Sequence, residues 1–333
     1  MKAMVLSQFG PVEEKPLKLQ EVEQPVPGPG EILLKINYCG VCHTDLHTVE
    51  GELTGVNLPR IPGHQVVGTV EKIGEGVTLF QRHDRAGVAW LYSSCGRCRY
   101  CRSGRENLCE EAKFTGYDVN GGYAEYMVVP ENFAYELPED FADEKAAPLL
   151  CAGIIGYRAL RLSRIKPGEK LGLFGFGASA HITIQVARFW GCSVYVFSRS
   201  QEHRNHALQL GAKWVGSPEE IPPEKLDSAI VFAPAGEIAR QALRVIDRGG
   251  TVALGGIYMT SIPPLDYQKE LYFEKSLKSV ANATRQDGVE FLKIASEIPV
   301  DADVQIYPLE KANEALLDVK QSRIKGTAVL KIS

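Results

Sequence analysis

Four cysteines crowded between residues 95 and 109 constrain the fold of this chain more than any other feature of its sequence. Two residues separate each of the first three cysteines, and the fourth follows after seven more: Cys95, Cys98, Cys101 and Cys109. This is metal-ligand spacing, because a compact loop can direct four thiolates at one ion and leave no position open. The pattern predicts a structural Zn2+ site in a lobe spanning about residues 93–111. Four unrelated thiols and an iron–sulfur cluster are weaker alternatives, the latter because the Pro of bacterial ferredoxin runs is absent.

The composition is that of an ordinary protein large enough for two domains. The chain has 333 residues, of which 44% are hydrophobic and 23% charged, and its formal net charge is −4. No dominant basic face is expected from this charge, which argues against nucleic acid as a partner. The sequence has no run of roughly 18 apolar residues and no signal-peptide pattern, so we expect no membrane partner and a cytoplasmic location.

The hydrophobic pattern changes character near residue 152. Before it, short strand-like runs such as 31–38 and 65–73 are separated by Pro and Gly turns, which indicates an antiparallel, barrel-like domain. Residues 39–50, which follow the first of these runs, are expected to form a loop or short helix. After residue 152, strands and helices alternate until about residue 283, which predicts a doubly wound parallel sheet. The predicted strands are 170–174, 194–197, 227–232 and 250–254, and the predicted helices end at 190, run over 201–210 and run over 237–246.

The tail through 312–317 and 327–330 is expected to return to the first domain. We therefore predict an α/β protein whose first domain comprises residues 1–152 and 284–333 and whose second comprises residues 153–283.

A glycine-rich loop opens the second domain. It has the form G-x-G-x-x-A between a predicted strand and a predicted helix, and its candidate binding residues are Gly175, Gly177, Ala178, Ser179 and Ala180. The first glycine permits a tight turn, the second lets the backbone approach a pyrophosphate, and the alanine keeps the helix close to the strand. The loop predicts dinucleotide binding, although a tight glycine turn without a ligand remains an alternative.

The residues after the second strand of that domain bear on the choice between NAD and NADP. An NAD-binding protein usually has an acidic residue there, whereas this chain has Ser198, Arg199 and Ser200, followed by His203. A carboxylate would repel a 2′-phosphate, while serine and arginine can donate charge-assisted hydrogen bonds to it. The sequence therefore favours NADP(H) over NAD(H). Arg199 as a surface charge, or stacked on adenine, is the alternative.

Three further residues have the chemistry of metal ligands but lie far apart in sequence. Cys42, His64 and Cys151 would supply two thiolates and one imidazole, which leaves a fourth position open as in catalytic zinc sites. Spacing alone does not join them, because a lone buried Cys or His is more often simple packing. Thr44 and His47, close to the first of these residues, could carry a proton away from a group bound to such a metal.

Taken together, these motifs resemble the zinc-dependent medium-chain alcohol dehydrogenases. The similarity runs in order over nearly the whole chain. It rests on Cys42-His-Thr-Asp-Leu-His47, Pro62-Gly-His64, the four-cysteine lobe, the segment Cys151–Leu160, and Gly175-Phe-Gly-Ala-Ser-Ala180. Membership would imply a GroES-like antiparallel β-barrel catalytic domain, a Rossmann cofactor domain, and a cleft between them that holds a catalytic zinc. It would also imply a homo-dimer or homo-tetramer.

The resemblance also implies roles for single residues. Cys42, His64 and Cys151 match the catalytic zinc ligands, and the four clustered cysteines match a structural zinc, giving two Zn2+ per chain. Asp45 matches a carboxylate that orients the ligand histidine, and Thr44 and His47 match a proton relay. Trp90 matches an aromatic side chain of the substrate pocket, which would favour small or slim alcohols. The implied reaction is hydride transfer between a primary alcohol or an aldehyde and NADP(H) or NAD(H).

Three positions depart from the pattern of that family. Gln65 follows the ligand histidine where a glutamate is usual, so a charge near the metal is missing. Thr327 stands where many relatives carry an arginine that faces the cofactor pyrophosphate; Arg323 or Lys325 could compensate. Ser198 fits the NADP-using branches of the family better than those that use NAD.

Two other functions remain open at the level of sequence. One is a quinone or enoyl reductase of the same fold that uses NADPH without zinc, although such proteins generally lack both cysteine sets. The other is a nonenzymatic NADPH-binding sensor or a zinc-stabilised interaction protein, which would have no need of Thr44 and His47 beside Cys42. A zinc content near two ions per chain would favour the zinc enzyme over these two alternative functions.

Overall fold

The computed structural model of the chain describes residues 1–298 and 300–333, which form two compact units. The first unit comprises Met1–Cys151, Thr284–Ser296 and Asp301–Ser333. The second comprises Ala152–Ala283 and Glu297–Val300. Among the residues described, no helix is long and apolar enough to cross a bilayer.

The first part of the first unit is built from short strands. They are β1 (Lys2–Leu6), β2 (Leu17–Glu21), β3 (Glu31–Val41), β4 (Gln65–Ile73), β5 (Arg85–Val88), β6 (Leu91–Ser93), β7 (Lys113–Phe114), β8 (Tyr126–Pro130) and β9 (Ala134–Glu136). The helices are α1 (His43–Glu50), α2 (Arg99–Arg102) and α3 (Asp143–Ala146), with 3-10 turns at Val12–Glu14, Glu106–Leu108, Glu131–Phe133 and Ala147–Leu150.

The second unit alternates strand and helix. Its elements are α4 (Ala152–Ser163), β10 (Lys170–Phe174), α5 (Ala178–Phe189), β11 (Ser193–Phe197), α6 (Gln201–Gln209), β12 (Trp214–Gly216), β13 (Leu226–Val231), α7 (Gly236–Val245), β14 (Ile246–Leu254), a π-helical turn at Tyr267–Leu271 and β15 (Ser276–Ser279). The six strands pair in parallel in the order β12-β11-β10-β13-β14-β15. The predicted doubly wound sheet is therefore confirmed.

The chain then returns to the first unit through α8 (Arg285–Glu297), β16 (Val304–Pro308), a 3-10 turn at Leu309–Lys311, α9 (Ala312–Lys320) and β17 (Thr327–Lys331). Strand β17 pairs antiparallel with β3, which pairs in turn with β4 and β8. Three neighbours explain why β3 is buried along most of its length, with Leu33, Leu34 and Ile36 fully enclosed. The largely antiparallel sheet matches the predicted barrel-like first domain.

Two predicted strand boundaries were wrong by three or four residues, and long-range pairing explains the first. The strand predicted to end at Tyr38 continues to Val41, because Cys39 and Gly40 pair with β4 while Val41 pairs with Ala328 of β17. A partner nearly 290 residues away leaves no local signal. The strand predicted to start at Gly250 begins at Ile246, directly after α7.

An enclosed carboxylate organises the last part of the second unit. Glu270 is 1% exposed and accepts hydrogen bonds from Arg240 Nε at 2.9 Å and Arg244 Nε at 2.7 Å. Its other oxygen accepts from the backbone N–H of Asp266 at 2.8 Å. Burial by itself would raise the pKa of Glu270, but these donors, with Arg244 foremost, hold that pKa below its ordinary value.

We expect Glu270→Gln to lower the free energy of unfolding by about 2 kcal/mol at neutral pH, because a charge-assisted pair is lost in a buried site. Because the pKa of Glu270 is lower in the folded state, the stabilisation is fully present above the pKa of the unfolded chain, about 4.3. It is lost as the pH falls through the folded-state pKa. Urea titrations at pH 7 and at successively lower pH should therefore converge for the two proteins. The exposed Glu219→Gln provides the control, and a Glu270→Gln deficit that persists undiminished in acid would contradict the assignment.

Candidate active site

The position of Cys42 is determined by its role as the N-cap of helix α1. Its sulfur accepts a hydrogen bond from the N–H of Thr44 at 3.2 Å, while the Asp45 carboxylate accepts one from the N–H of Cys42 at 3.0 Å. This reciprocal pair is a capping box, with a cysteine in the position that serine or threonine usually takes. A helix N-terminus favours negative charge, so the arrangement suits a thiolate.

Asp45 also determines the orientation of His64. Its second oxygen accepts hydrogen bonds from His64 Nδ1 at 3.0 Å and from the N–H of Gly63 at 3.1 Å. With Nδ1 engaged, His64 presents Nε2, which lies 3.5 Å from the Cys42 sulfur. Gly63 has φ +98°, and a β-carbon there would come within 2.4 Å of the Tyr123 ring. Glycine is therefore required for the chain to bring the imidazole to this position.

Cys151 completes the group from a third part of the first unit. It follows the 3-10 turn Ala147–Leu150, and its sulfur, the Cys42 sulfur and a ring nitrogen of His64 lie within 4.8 Å of one another. Tetrahedral Zn2+, with Zn–S near 2.3 Å and Zn–N near 2.0 Å, requires about 3.5 Å between a sulfur and a nitrogen ligand. The Cys42–His64 separation equals that value, so the donor set fits zinc with one position left open.

The electrostatics of this group favour its binding a cation. Burial would lower the pKa of His64, but the charges of Asp45 and Cys42 outweigh it and raise that pKa to about 10. The Cys151 thiol, as a hydrogen-bond partner, and the charge of His64 hold the pKa of Cys42 well below its ordinary value, and the same contact raises the pKa of Cys151. A divalent cation would replace these protons, because zinc binds thiolates and neutral imidazole.

The four clustered cysteines form a second group of metal-binding geometry. All four sulfurs lie within 4.8 Å of one another, with the closest separations between Cys98 and Cys101 and between Cys95 and Cys109, each 3.5 Å. The edge of a tetrahedral ZnS4 site is about 3.8 Å. Backbone N–H groups of Arg97 and Cys98 lower the pKa of Cys95 to about 7, which favours its thiolate. The donor set therefore fits a closed Zn2+ site.

An aromatic wall borders the first group of ligands. The Trp90 ring meets His64 edge-on with centroids 4.9 Å apart, stacks on Phe114 at 5.3 Å and approaches Tyr117 at 5.8 Å. Sequence reasoning identified Trp90 but missed Phe114 and Tyr117. Strands β6 and β7 pair Leu91 with Phe114, so only this pairing brings the two aromatic segments together. The Phe-Thr-Gly-Tyr run was the available signal, although it resembles any surface turn.

Thr44 and His47 both lie on α1, downstream of Cys42. Thr44 is 7% exposed and its carbonyl accepts a hydrogen bond from the Thr48 hydroxyl. The imidazole of His47 pairs through Nδ1 with the carboxylate of Glu52. Glu52 was not among the residues predicted from sequence, because nothing in a single carboxylate five positions along marks it as a partner.

The glycine-rich loop lies in the second unit, where it joins β10 to α5. Gly175 has φ +89° and its N–H donates to the carbonyl of Phe197, while Gly177 is the N-cap of α5 and has open space where a side chain would be. Ala178, Ser179 and Ala180 form the first turn of the helix, and Ala180 is fully buried. A strand, a bare turn and a helix N-terminus are the parts that a pyrophosphate requires.

The residues expected near the cofactor ribose follow β11. Ser198 is buried and its hydroxyl accepts from the N–H of Ser200, whose own hydroxyl accepts from the N–H of His203 and thereby caps α6. Arg199 is exposed. Arg204 donates a hydrogen bond to the carbonyl of Ser198, so its guanidinium stabilises the turn that follows β11.

The two departures in the first unit are both buried. The Gln65 side chain is fully enclosed, and neither its oxygen nor its nitrogen has a hydrogen-bond partner among the residues that the structure describes. Thr327 begins β17 and is 3% exposed. The two cations that could stand in for an arginine at that position are engaged elsewhere, Arg323 with Asp318 and Lys325 with Asp303.

Comparison with known proteins gives consistent matches over the whole chain. Residues 28–139 match the alcohol dehydrogenase GroES-like domain, and residues 180–297 match the zinc-binding dehydrogenase domain. The chain is 45% identical to "Probable alcohol dehydrogenase AdhA" of Mycobacterium tuberculosis, over 100% of this chain and 97% of that one. It is 38% identical to an alcohol dehydrogenase of Geobacillus stearothermophilus over 100% of both.

A solved structure agrees with these matches. The thermostable alcohol dehydrogenase of Pyrobaculum aerophilum with bound cobalt and zinc superposes with a TM-score of 0.91 at 29% identity, covering 100% of this chain and 99% of the other.

The two clusters are expected to respond differently to loss of one sulfur. Cys42→Ser should leave a folded protein that has lost one metal ion per chain and its turnover, because a catalytic site adds little to folding. Cys98→Ala should lose the other ion and unfold at markedly lower temperature, since a structural site supplies folding energy.

Metal analysis, thermal unfolding and steady-state assays on the same preparations check these outcomes. The control is Cys192→Ser, which removes a buried thiol outside both clusters and should keep the metal content and turnover. Wild-type rates in Cys42→Ser, or a stable and fully active Cys98→Ala, would each contradict the corresponding assignment.

Proposed function

The chain belongs to the zinc-dependent medium-chain alcohol dehydrogenase family and is an alcohol dehydrogenase, and from this premise we propose a zinc-dependent enzyme that transfers hydride between a primary alcohol or aldehyde and NADP(H). The observation that carries the proposal is the convergence of Cys42, His64 and Cys151, with Asp45 bonded behind the imidazole. Three ligands with an open fourth position are the arrangement of catalytic rather than structural zinc.

The chain's own residues have separable roles in this proposal. Cys42, His64 and Cys151 hold the Zn2+, which when bound supplies Lewis-acid polarisation of a substrate oxygen. Asp45 keeps His64 in the tautomer whose Nε2 faces the metal. The Thr44 hydroxyl and the His47 imidazole relay the substrate proton toward solvent, and the wall of Trp90, Phe114 and Tyr117 favours small or slim substrates. The other cluster, Cys95 with its three partners, holds a structural Zn2+.

The buried, neutral Gln65 is consistent with a metal site whose negative charge comes from its two thiolate ligands. Two thiolates already balance a divalent cation, and a neutral carboxamide adds no further negative charge beside His64. We therefore propose that the ligand charge is supplied by Cys42 and Cys151.

We propose NADP(H) as the cofactor because of the turn after β11. Gly175, Gly177 and the first turn of α5 would bind the pyrophosphate, while Ser198, Arg199, Ser200 and His203 would surround the 2′ position of the ribose. No carboxylate stands in this turn, and an exposed arginine with two hydroxyl groups matches a phosphate better than a bare hydroxyl.

We further propose that residues 1–152 and 284–333 act as the catalytic domain and residues 153–283 as the cofactor domain of a homo-dimer or homo-tetramer in the cytoplasm. Strand β15 forms an edge of the parallel sheet, and exposed apolar side chains such as Tyr258, Tyr272 and Phe273 occur in the same unit. Unpaired sheet edges and exposed aromatic groups are typical of subunit interfaces. The cysteines are all free thiols, which is typical of proteins in a reducing compartment.

The function is tested by steady-state assays with NADPH and NADH on short aliphatic, branched and aromatic aldehydes, with zinc measured in the same preparation. We expect NADPH-dependent reduction and about two zinc ions per chain. Absence of turnover on every aldehyde, with both zinc ions present, would count against the enzyme and for a nonenzymatic sensor.

The cofactor proposal has its own test in Arg199→Ala. Loss of a charge-assisted hydrogen bond of about 1.5–3 kcal/mol should raise the KM for NADPH by roughly tenfold or more and leave the KM for NADH nearly unchanged. Arg248→Ala, which removes an exposed arginine of the same unit, is the matched control. An equal loss with both cofactors, or a wild-type preference for NADH, would refute a 2′-phosphate site.

A further inference from the structure

A carboxylate outside both groups of cysteine ligands contacts the outer end of the proposed relay. Glu52 contacts Nδ1 of His47, and the two side chains differ in exposure, with 16% of His47 and 54% of Glu52 accessible to solvent. A sheltered imidazole is therefore joined to a carboxylate that stands in bulk water. This is the geometry of an outlet for protons.

The backbone conformation at the end of α1 brings Glu52 to His47. Helix α1 ends at Glu50, and Gly51 takes a left-handed conformation with φ +77°, donating its N–H to the carbonyl groups of His47 and Thr48. The chain reverses there, and the N–H of Glu52 donates to the His47 carbonyl at 2.9 Å. A glycine-terminated helix of this type returns the next residue over the last turn. A β-carbon at Gly51 would lie 3.1 Å from Phe9, so the reversal depends on glycine.

Glu50, another carboxylate at this end of α1, has different partners. The carboxylate of Glu50 accepts from the N–H of Val12 and from Lys320 of α9, which also pairs with Glu13. The His43 ring is exposed, and its centroid lies 6.3 Å from that of the His47 ring. Glu52, by contrast, contacts the imidazole of His47.

We propose that Glu52 is a positioning residue that keeps His47 protonated at Nδ1 and accepts that proton when the relay delivers another at Nε2. During alcohol oxidation, an N–H bond forms at Nε2, the Nδ1–H bond breaks, an O–H bond forms on Glu52, and the proton passes to water. These steps are proton transfers and change no oxidation state. Reduction runs the same sequence in reverse. This inference rests on the proposed role of His47.

The kinetic test uses Glu52→Gln, which keeps the shape and removes the proton acceptor. We expect the single-turnover rate of alcohol oxidation to fall by about tenfold, less than the roughly hundredfold or more typical of a general acid–base group, because Glu52 acts through His47; the KM for cofactor should be nearly unchanged. A high concentration of a small basic buffer such as imidazole should restore the rate, and Glu52→Asp should retain most of it. Glu50→Gln, which removes a carboxylate from the same turn, should neither slow the step nor respond to buffer.

A second readout needs neither metal nor cofactor. In nitrogen-15 NMR spectra of the zinc-depleted, histidine-labelled chain, we expect the neutral His47 ring, assigned through His47→Gln, to carry its proton on Nδ1. In Glu52→Gln this preference should weaken. A wild-type ring protonated mainly on Nε2, or a Glu52→Gln enzyme with full rate and no buffer response, would overturn the proposal.

The outcomes separate this inference from the function on which it rests. If His47→Gln also retains the full rate, the relay itself is refuted. If His47→Gln is slow while Glu52→Gln is fast, only the role of Glu52 is lost.

Discussion

One carboxylate, that of Asp45, holds the candidate metal site together. It accepts hydrogen bonds from the N–H groups of Cys42 and Gly63 and from Nδ1 of His64, so it joins the start of α1 to the segment that precedes β4. These two segments supply two of the three proposed ligands. Because the group is only 2% exposed, each of these bonds forms in a medium of low dielectric constant, where a misplaced charge is costly. The ligand geometry thus depends on one side chain that binds no metal.

In the function proposed here, the two groups of cysteines in the first unit have separate tasks, one in stability and the other in chemistry. Four thiols within one short lobe provide a closed site that can stabilise a segment with little apolar core. The other group takes its members from three separate places in the chain and leaves a position open. A helix N-terminus favours one thiolate there, and the Asp45–His64 bond selects the ring nitrogen, so the protein prepares both ligand types for a cation.

Residues close together in sequence were predicted from their spacing. Residues joined only by the fold were either missed or, like Cys42, His64 and Cys151, connected through the family resemblance alone. The four-cysteine lobe and the glycine-rich turn are local patterns, and the parallel sheet follows from the alternation of elements around them. The extension of β3 to Val41 was missed because its partner β17 lies at the other end of the chain. Phe114 and Tyr117 were missed as neighbours of Trp90 for the same reason, since strand pairing brings them together.

The sequence by itself determined the fold class and family of this protein and the identity of the residues with metal-ligand and dinucleotide chemistry, because spacing and residue type are enough to specify a thiolate cluster or a glycine turn. Spacing did not decide which of those residues meet; the family resemblance implied it for the three candidate ligands, and only the tertiary structure shows it. Cys42, His64 and Cys151 converge, and Glu52 lies against His47, because backbone hydrogen bonds and left-handed glycines at positions 51 and 63 direct the chain there. Distances in space between such residues are fixed by packing and hydrogen bonding across the whole unit, which no local pattern encodes.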